Sequence, residues 1–114
     1  MIKGKVVLVP FPFDDFSSTK VRPAVCLTNP IGPHRHVVLA FISSQPPAHI
    51  LETDLQLNPT EDDFRSTGLR VHSVVRLHRL MTITTSFVRR ELGELSPRMQ
   101  GEVNNRLLRL FALL

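Results

Sequence analysis

Short runs of β-branched and other apolar residues alternate along the chain with clusters of proline, glycine, asparagine and aspartate. This alternation is typical of a small all-β barrel or sandwich, because turn-forming residues interrupt segments suited to pleated strands. No internal repeat or linker divides the chain, so we expect a single domain. The pattern predicts strands at residues 5–9, 23–28, 36–42, 50–57, 73–78 and 81–85, with 87–95 ambiguous between helix and strand.

The parity of the apolar positions predicts how these strands are buried. Segment 36–42 is apolar on both parities, so we expect both of its faces to be buried. Segment 50–57 alternates, which predicts one buried and one wet face. The wet parity carries Glu52, Asp54 and Gln56. Proline cannot donate to a ladder, so the first strand is expected to end or to reach a sheet edge at Pro10.

The C-terminal segment has a helical pattern and predicts one helix at about residues 97–112. Ser96 is a favourable N-cap, and Pro97 suits the first helical position. One apolar stripe recurs at spacings of four and three and consists of Met99, Val103, Leu107, Leu110 and Leu114. Further apolar residues, Leu108, Phe111 and Leu113, widen this surface beyond the need of one small barrel. We interpret the excess as a homodimer contact.

Length and composition exclude several classes of protein. The chain has 114 residues, 42% of them hydrophobic and 21% charged, which is typical of one globular domain. No apolar stretch is long enough to span a bilayer, and no secretory signal is evident. Cys26 is the only cysteine, which excludes an internal disulfide and a cysteine-based zinc site. We expect a soluble cytoplasmic domain.

The charge distribution suggests a polyanionic partner. The net charge is +4, and eleven of the fourteen basic residues are arginine, whose planar fork matches phosphate oxygens. Residues 64–90 contain six arginines and no carboxylate. A basic stretch of this kind favours nucleic acid, although an ordinary solvated arginine-rich surface is the alternative.

The common enzymatic motifs are absent from the sequence. It has no glycine-rich phosphate loop, nucleophile elbow or H-E-x-x-H pair. His34 and His36 have no obvious third metal ligand, so a solvated turn is the better interpretation. An active site in this chain is therefore expected to work without a metal.

Metal-free RNA cleavage requires only a few side chains, because the substrate's own 2′-OH attacks the adjacent phosphorus. A base must accept the proton of that hydroxyl, an acid must protonate the leaving 5′-oxygen, and a cation must stabilise the phosphorane. The chain offers a suitable set near strand ends: Arg22 before Pro23, Ser43, Arg76 and His78. Histidine changes charge near neutral pH, which suits proton exchange.

Each of these residues also has a purely structural interpretation. Arg22 can pair with Asp14 or Asp15, and Ser43 can end its strand through a turn hydrogen bond. Val75 and Leu77 are predicted on the core side of their strand. Arg76 and His78 then form an exposed pair on the opposite face.

A set of motifs follows in order along the chain: GKVVLVPFPF at residues 4–13, RPAV at 22–25, VLAFISS at 38–44, GL at 68–69, SVVRLH at 73–78, MTI at 81–83 and LGELS at 92–96. In these motifs the chain resembles the MazF/PemK-type toxins of bacterial type II toxin–antitoxin systems. Single motifs are weak, but together they cover nearly the whole chain in the family's order.

This resemblance implies an SH3-like barrel with a C-terminal helix and a homodimeric assembly. It further implies an mRNA interferase, which is a metal-independent, sequence-specific endoribonuclease acting on single-stranded RNA, with no cofactor. Its products would carry a 2′,3′-cyclic phosphate and a 5′-hydroxyl. The protein partner implied is an acidic antitoxin with a disordered tail.

The resemblance also assigns roles to individual residues. Arg22 falls on a catalytic arginine, and Ser43 falls where members commonly have a catalytic threonine. Arg76 matches an arginine that acts as proton donor or phosphate clamp, whereas His78 replaces the family's usual acid as candidate base. Lys5 also departs from the family, which often has an acid there. Residues 13–19 correspond to a loop that moves on antitoxin binding. The expected RNA contacts are Phe13, Thr19, Lys20, Ser44, Gln45 and Arg79.

Two other functions remain open at this point. The residue change at His78 is compatible with a non-catalytic RNA-binding or partner-binding barrel. The apolar helix is compatible with a module that binds a protein partner and no RNA. The salt dependence of RNA binding separates these functions. Arginine–phosphate contacts would make the affinity for RNA fall steeply as the salt concentration rises, whereas a module that binds only protein would show no salt-dependent RNA affinity.

Overall fold

A computed structural model of the chain describes residues 1–11 and 20–113. Within these residues six strands and one α-helix follow one another along the chain. The strands are β1 (Lys5–Phe11), β2 (Lys20–Cys26), β3 (His36–Ser43), β4 (Asp54–Leu57), β5 (Ser73–Thr84) and β6 (Arg90–Glu94), and the helix is α1 (Pro97–Leu110). Short 3₁₀ turns at Phe64–Thr67 and Thr85–Phe87 join them. None of the described helices is long and apolar enough to cross a membrane.

The strands form a single sheet with the order β4-β5-β3-β2-β1-β6, in which all neighbours are antiparallel. The sheet curves into a half-barrel, and the helix packs against one of its faces. This architecture confirms the predicted mainly-β domain with a C-terminal helix.

Side-chain alternation along the strands builds an apolar cluster on each face of the sheet. The first cluster includes Val25, Ile42, Val75 and Leu77 and is covered by Met99 and Val103 of the helix. The second cluster lies on the opposite face. It consists of Val7, Val9, Ala24, Cys26, Val37 and Leu39, with Phe41, Met81 and Ile83 partly buried against them. The prediction that 36–42 is apolar on both faces is confirmed by this division of β3.

The helix begins as the sequence predicts. The Ser96 hydroxyl accepts a hydrogen bond from the Met99 N–H at 3.1 Å, and Pro97 is the first helical residue. The helix ends at Leu110, two residues earlier than predicted, and Ala112 has a φ of 54°. Phe111 and Leu113, beyond the helix end, are 56% and 71% exposed.

Several strand boundaries differ from prediction: β2 spans Lys20–Cys26 and not 23–28, β3 extends to Ser43, and β1 and β5 are longer than predicted. β1 runs through Pro10 to Phe11, and its pairing with β6 ends at Leu8. The Leu8 carbonyl accepts from the Arg89 N–H, and Pro10, two residues on, faces the same side, where no described residue requires a ladder hydrogen bond from it. Segments 73–78 and 81–85 form one continuous strand. The segment that was ambiguous, 87–95, contains a strand and no α-helix.

The prediction for segment 50–57 is wrong in two respects. Only Asp54–Leu57 forms a strand, and Asp54, expected on a wet face, is 3% exposed. Its carboxylate is buried because it accepts two hydrogen bonds, one from the Leu51 N–H at 2.8 Å and one from Arg76. The remaining residues of the predicted wet parity, Glu52 and Gln56, are exposed.

The loop predicted at 58–68 is anchored to the rest of the fold by a close backbone contact. Its 3₁₀ turn buries Phe64 and Thr67. A Cβ at Gly93 of β6 would lie well inside van der Waals contact with the backbone of Ser66 and Thr67. Glycine at position 93 is therefore required by packing.

A polar cluster joins the same loop to the start of the helix. Asp63 accepts from the Ser96 hydroxyl at 2.6 Å and from the Nε and Nη2 of Arg98 at 2.9 Å each. Arg98 also contacts Glu61 at 2.8 Å. The Arg98 and Ser96 hydrogen bonds lower the pKa of Asp63 from 3.8 to about 2.

Replacing glycine at two positions should have opposite effects on stability. We expect Gly93→Ala to lower the free energy of unfolding by about 1–3 kcal/mol, because the added methyl group meets rigid backbone. Gly101→Ala in the helix meets nothing within 4 Å and should raise it by up to about 1 kcal/mol. Urea denaturation measures both values. A Gly93→Ala variant as stable as the wild type would contradict the close contact.

The Asp63 cluster predicts a specific acid dependence of stability. Because the folded pKa lies below the ordinary value of 3.8, the carboxylate stabilises the fold above that pH, and this contribution is lost as the pH falls towards about 2. Asp63→Asn should therefore lose stability at neutral pH and show a shallower loss on acidification. Asp62→Asn, which removes the adjacent exposed carboxylate, is the control. Identical acid profiles for the two variants, measured by urea denaturation, would refute this role.

Candidate active site

The strand register brings three of the predicted site residues to one face of the sheet. Ala24 of β2 pairs with Phe41 of β3, and Phe41 pairs with Arg76 of β5. Arg22 pairs with Val9 of β1, whose side chain belongs to the same apolar cluster as that of Ala24. Since residues two apart share a face, Arg22, Ser43 and Arg76 all lie on the face opposite the helix.

Sheet geometry gives the scale of this cluster. Adjacent strands lie about 4.8 Å apart, and two residues along a strand span about 6.6 Å. Ser43 pairs with Val74, two residues from Arg76, so the Cα atoms of Ser43 and Arg76 are about 8 Å apart. The Arg22 side chain extends from the same face of the neighbouring strand β2.

Arg76 is held by a buried carboxylate. Its Nε donates to Asp54 Oδ1 at 2.9 Å, and the two side chains are 18% and 0% exposed. Asp54 is the direct neighbour of Arg76 across the β4–β5 pair. The predicted exposed pair of Arg76 and His78 is thus wrong for Arg76, which is largely buried. Sequence reasoning missed Asp54 as a member of this site.

Ser43 forms the turn hydrogen bonds that its structural interpretation predicts. Its hydroxyl donates to the Gln45 carbonyl at 2.9 Å and accepts from the Gln45 N–H at 3.1 Å. Ser44 and Gln45 are exposed at this strand end. The hydroxyl can donate to a ligand only after it releases the Gln45 carbonyl, because it has a single proton.

His78 is exposed but lies where the strand register is broken. β3 pairs with Arg76 and next with Leu80, which leaves residues 77–79 of β5 without partners in β3. β4 pairs only with residues 73–76. The register therefore does not fix the position of His78 relative to Arg76, in contrast to that of Ser43.

Cationic residues border the same face. Lys20 and Arg22 are exposed on alternate positions of β2. Within residues 1–11 and 20–113, Arg22 forms no hydrogen bond or ion pair. Its proposed partners Asp14 and Asp15 lie outside the described residues, as do the predicted RNA contacts Phe13 and Thr19.

Arg79 lies at the break in β5 and contacts an aromatic ring. Its guanidinium carbon is 5.2 Å from the centre of the Phe41 ring, a cation–π distance. Phe41 stands between Ala24 and Arg76 in the row of paired residues. Arg79 thus covers the centre of the face that carries Arg22 and Ser43.

The other chemically interesting side chains do not join this cluster. Burial raises the pKa of the Cys26 thiol from 9.0 to about 11, with Glu91 adding to the effect, so it is protonated at neutral pH. The rings of His34 and His36 lie 5.8 Å apart. In the part of the chain that the structure describes, histidine, cysteine and acidic residues form no group of three suited to a metal ion.

Solved structures with the same fold come from bacterial toxins. One is an endoribonuclease in complex with its cognate antitoxin from a mycobacterial species, with a TM-score of 0.72 and 15% identity over 100% of this chain and 97% of that chain. A second is the Mycobacterium tuberculosis toxin MazF-mt6, with a TM-score of 0.71 and 19% identity over 95% and 96% of the two chains. A third is MazE-MazF from Deinococcus radiodurans, with a TM-score of 0.65 and 17% identity over 97% and 94%.

Sequence comparison identifies the family directly. Comparison with curated proteins gives no match. The family described as the PemK-like, MazF-like toxin of type II toxin-antitoxin system matches residues 2–111, which is nearly the entire chain. The chain therefore belongs to the PemK-like, MazF-like toxin family of type II toxin–antitoxin systems.

Proposed function

We propose that this protein is a toxin that cleaves single-stranded RNA without a metal ion, as a sequence-specific endoribonuclease. Family membership supports the toxin role, and two of the similar structures are described as endoribonucleases. The observation that carries the proposal is that Arg22, Ser43 and Arg76, from three neighbouring strands, share the sheet face opposite the helix.

The proposed reaction uses the ribose as its own nucleophile. The 2′-OH gives its proton to a base and attacks the adjacent phosphorus, and the bond to the 5′-oxygen of the next nucleotide breaks. The leaving 5′-oxygen takes up a proton from solvent, and the products are a 2′,3′-cyclic phosphate and a 5′-hydroxyl. Arg22 and Arg76 stabilise the negative charge of the phosphorane, because guanidinium groups donate paired hydrogen bonds to phosphate oxygens. Ser43 donates a hydrogen bond to a phosphate oxygen.

We assign the base to His78. Neutral imidazole accepts a proton at working pH, which preserves the chemistry where the family usually has an acid. Its exposure leaves it accessible to a substrate. The expected RNA contacts beside the scissile phosphate are Phe13, Thr19, Lys20, Ser44, Gln45 and Arg79.

The proposed protein partners are a second copy of the chain and an acidic antitoxin with a disordered tail. Exposed Phe111 and Leu113 offer apolar surface for a dimer contact. The net charge of +4 is complementary to an acidic tail. Two of the similar structures, from a mycobacterial species and from Deinococcus radiodurans, are complexes of a toxin with its antitoxin.

Arg22→Ala should reduce RNA cleavage by about 100- to 1,000-fold, because it removes a cation that stabilises the transition state. The fold should persist, since the Arg22 side chain is exposed. Arg65→Ala, which removes an exposed arginine from the 3₁₀ turn, is the control and should cleave normally. Unchanged cleavage by Arg22→Ala, in an assay of fragment release from labelled RNA, would remove this residue from the site.

Cleavage in a chelator separates the enzyme from a non-catalytic RNA-binding barrel. We expect the wild-type protein in EDTA to cut a long unstructured RNA into discrete fragments with 2′,3′-cyclic phosphate ends. Mass spectrometry of the fragment ends measures this outcome. RNA that is retarded in a gel but remains intact would instead support the binding module, and RNA that is neither retarded nor cut would support a protein-binding role.

A further inference from the structure

The buried ion pair between β4 and β5 has a geometry that divides the Arg76 guanidinium into two parts. Asp54 Oδ1 accepts only from Nε, at 2.9 Å. Among the described residues, neither Nη nitrogen forms a hydrogen bond. One edge of the group is therefore fixed by the protein, and the other retains its donors for a ligand.

Asp54 is itself held in place from several directions. Its Oδ2 accepts from the Leu51 N–H at 2.8 Å, and its backbone carbonyl accepts from the Nε of Arg106 at 2.9 Å. Arg106 belongs to the C-terminal helix and is ion-paired with Glu102 one turn earlier. The carboxylate thus has a fixed position, supported by the loop before β4 and by the helix.

A buried carboxylate destabilises the fold unless it is fully paired. The Asp54–Arg76 pair is therefore better explained by a specific function than by a contribution to the stability of the core. Asp54 and Arg76 are directly paired across β4 and β5, so the carboxylate lies beside the arginine side chain. An arginine without such a partner has several rotamers, and catalysis by a cation depends on its position to about 1 Å.

We propose that Asp54 is a positioning residue that holds Arg76 so that its two Nη nitrogens face the scissile phosphate. This inference rests on the proposed ribonuclease function and adds to it a residue that does not touch RNA. The two parts of the Arg76 guanidinium then have different functions: Nε binds Asp54, and the two Nη nitrogens bind the phosphorane oxygens.

The first test is a double-mutant cycle on RNA cleavage in EDTA. Asp54→Asn should lower kcat about 10- to 100-fold with little change in KM, because the arginine is displaced while RNA binding elsewhere is retained. In an Arg76→Ala background the same substitution should have little further effect. Asp63→Asn, which breaks the comparable carboxylate–arginine contact near the helix start, should leave kcat unchanged.

Equal losses from Asp54→Asn in both backgrounds, or no loss in either, would overturn the positioning role. If the wild-type protein does not cleave RNA at all, the proposed function fails and this inference fails with it. A wild-type enzyme that requires Arg22 but tolerates Asp54→Asn would refute only the inference. The two failures are therefore distinguishable.

A second variant keeps the proposal testable if Asp54→Asn does not fold. Arg76→Lys retains a cation to neutralise the buried carboxylate, but an ammonium group lacks the planar edge of paired N–H donors that the Nη nitrogens present to a phosphate while Nε binds Asp54. We expect its kcat to fall nearly as far as that of Arg76→Ala. Cleavage by Arg76→Lys within about threefold of wild type would contradict the division of the guanidinium.

A nuclear magnetic resonance experiment examines the contact without relying on activity. The Nε–H of Arg76 should exchange slowly with solvent in the wild-type protein and rapidly in Asp54→Asn. Rapid exchange in the wild type would show that Asp54 does not hold the guanidinium in solution, and would overturn the proposal.

Discussion

The antiparallel register of β2, β3 and β5 is the constraint on which the site depends. Side chains alternate between the two faces with a period of two, so a slip of one residue would move Arg22, Ser43 or Arg76 to the helix-covered face. The register is fixed by burial, because the alternate residues Val25, Ile42 and Val75 fill the core beneath the helix. The apolar core and the polar site are therefore specified by the same pairing.

Electrostatic pairing adds a second level of order. Arg76 is largely buried beside a fully buried carboxylate, whereas Arg22 is exposed and has no partner within the described residues. The two arginines suit different tasks. Arg76 is held by a carboxylate of the protein, and Arg22 is exposed where a ligand can reach it.

Much of the fold was accessible from the sequence, because strong local signals agree with the final packing. Ser96 and Pro97 marked the start of the helix, and the parity of Val75 and Leu77 identified the buried face of β5. Pro10 was the harder case. A proline stops a strand only where its N–H would be needed, and this depends on where the neighbouring strand ends.

The missed features required knowledge of contacts distant in sequence. Asp54 has the parity of the exposed Glu52 and Gln56, and nothing local indicates that Arg76, 22 residues later, pairs with it. Residues 64–90 contain no acidic residue, but in the folded protein Asp54 of β4 forms an ion pair with Arg76 of this stretch. The same applies to His78, since the break in pairing around residues 77–79 leaves no trace in the alternation of the sequence.

The proposed mechanism requires that Arg22 and Arg76 contact the same phosphate. The most direct measurement is a structure of the protein bound to an RNA of the sequence that it cleaves, with 2′-deoxyribose at the scissile nucleotide. Without its 2′-OH, this nucleotide cannot attack the phosphorus, and the RNA stays intact. The account predicts one phosphate within about 3 Å of guanidinium nitrogens from both Arg22 and Arg76. A scissile phosphate on the helix-covered face, or one contacted by neither arginine, would contradict it.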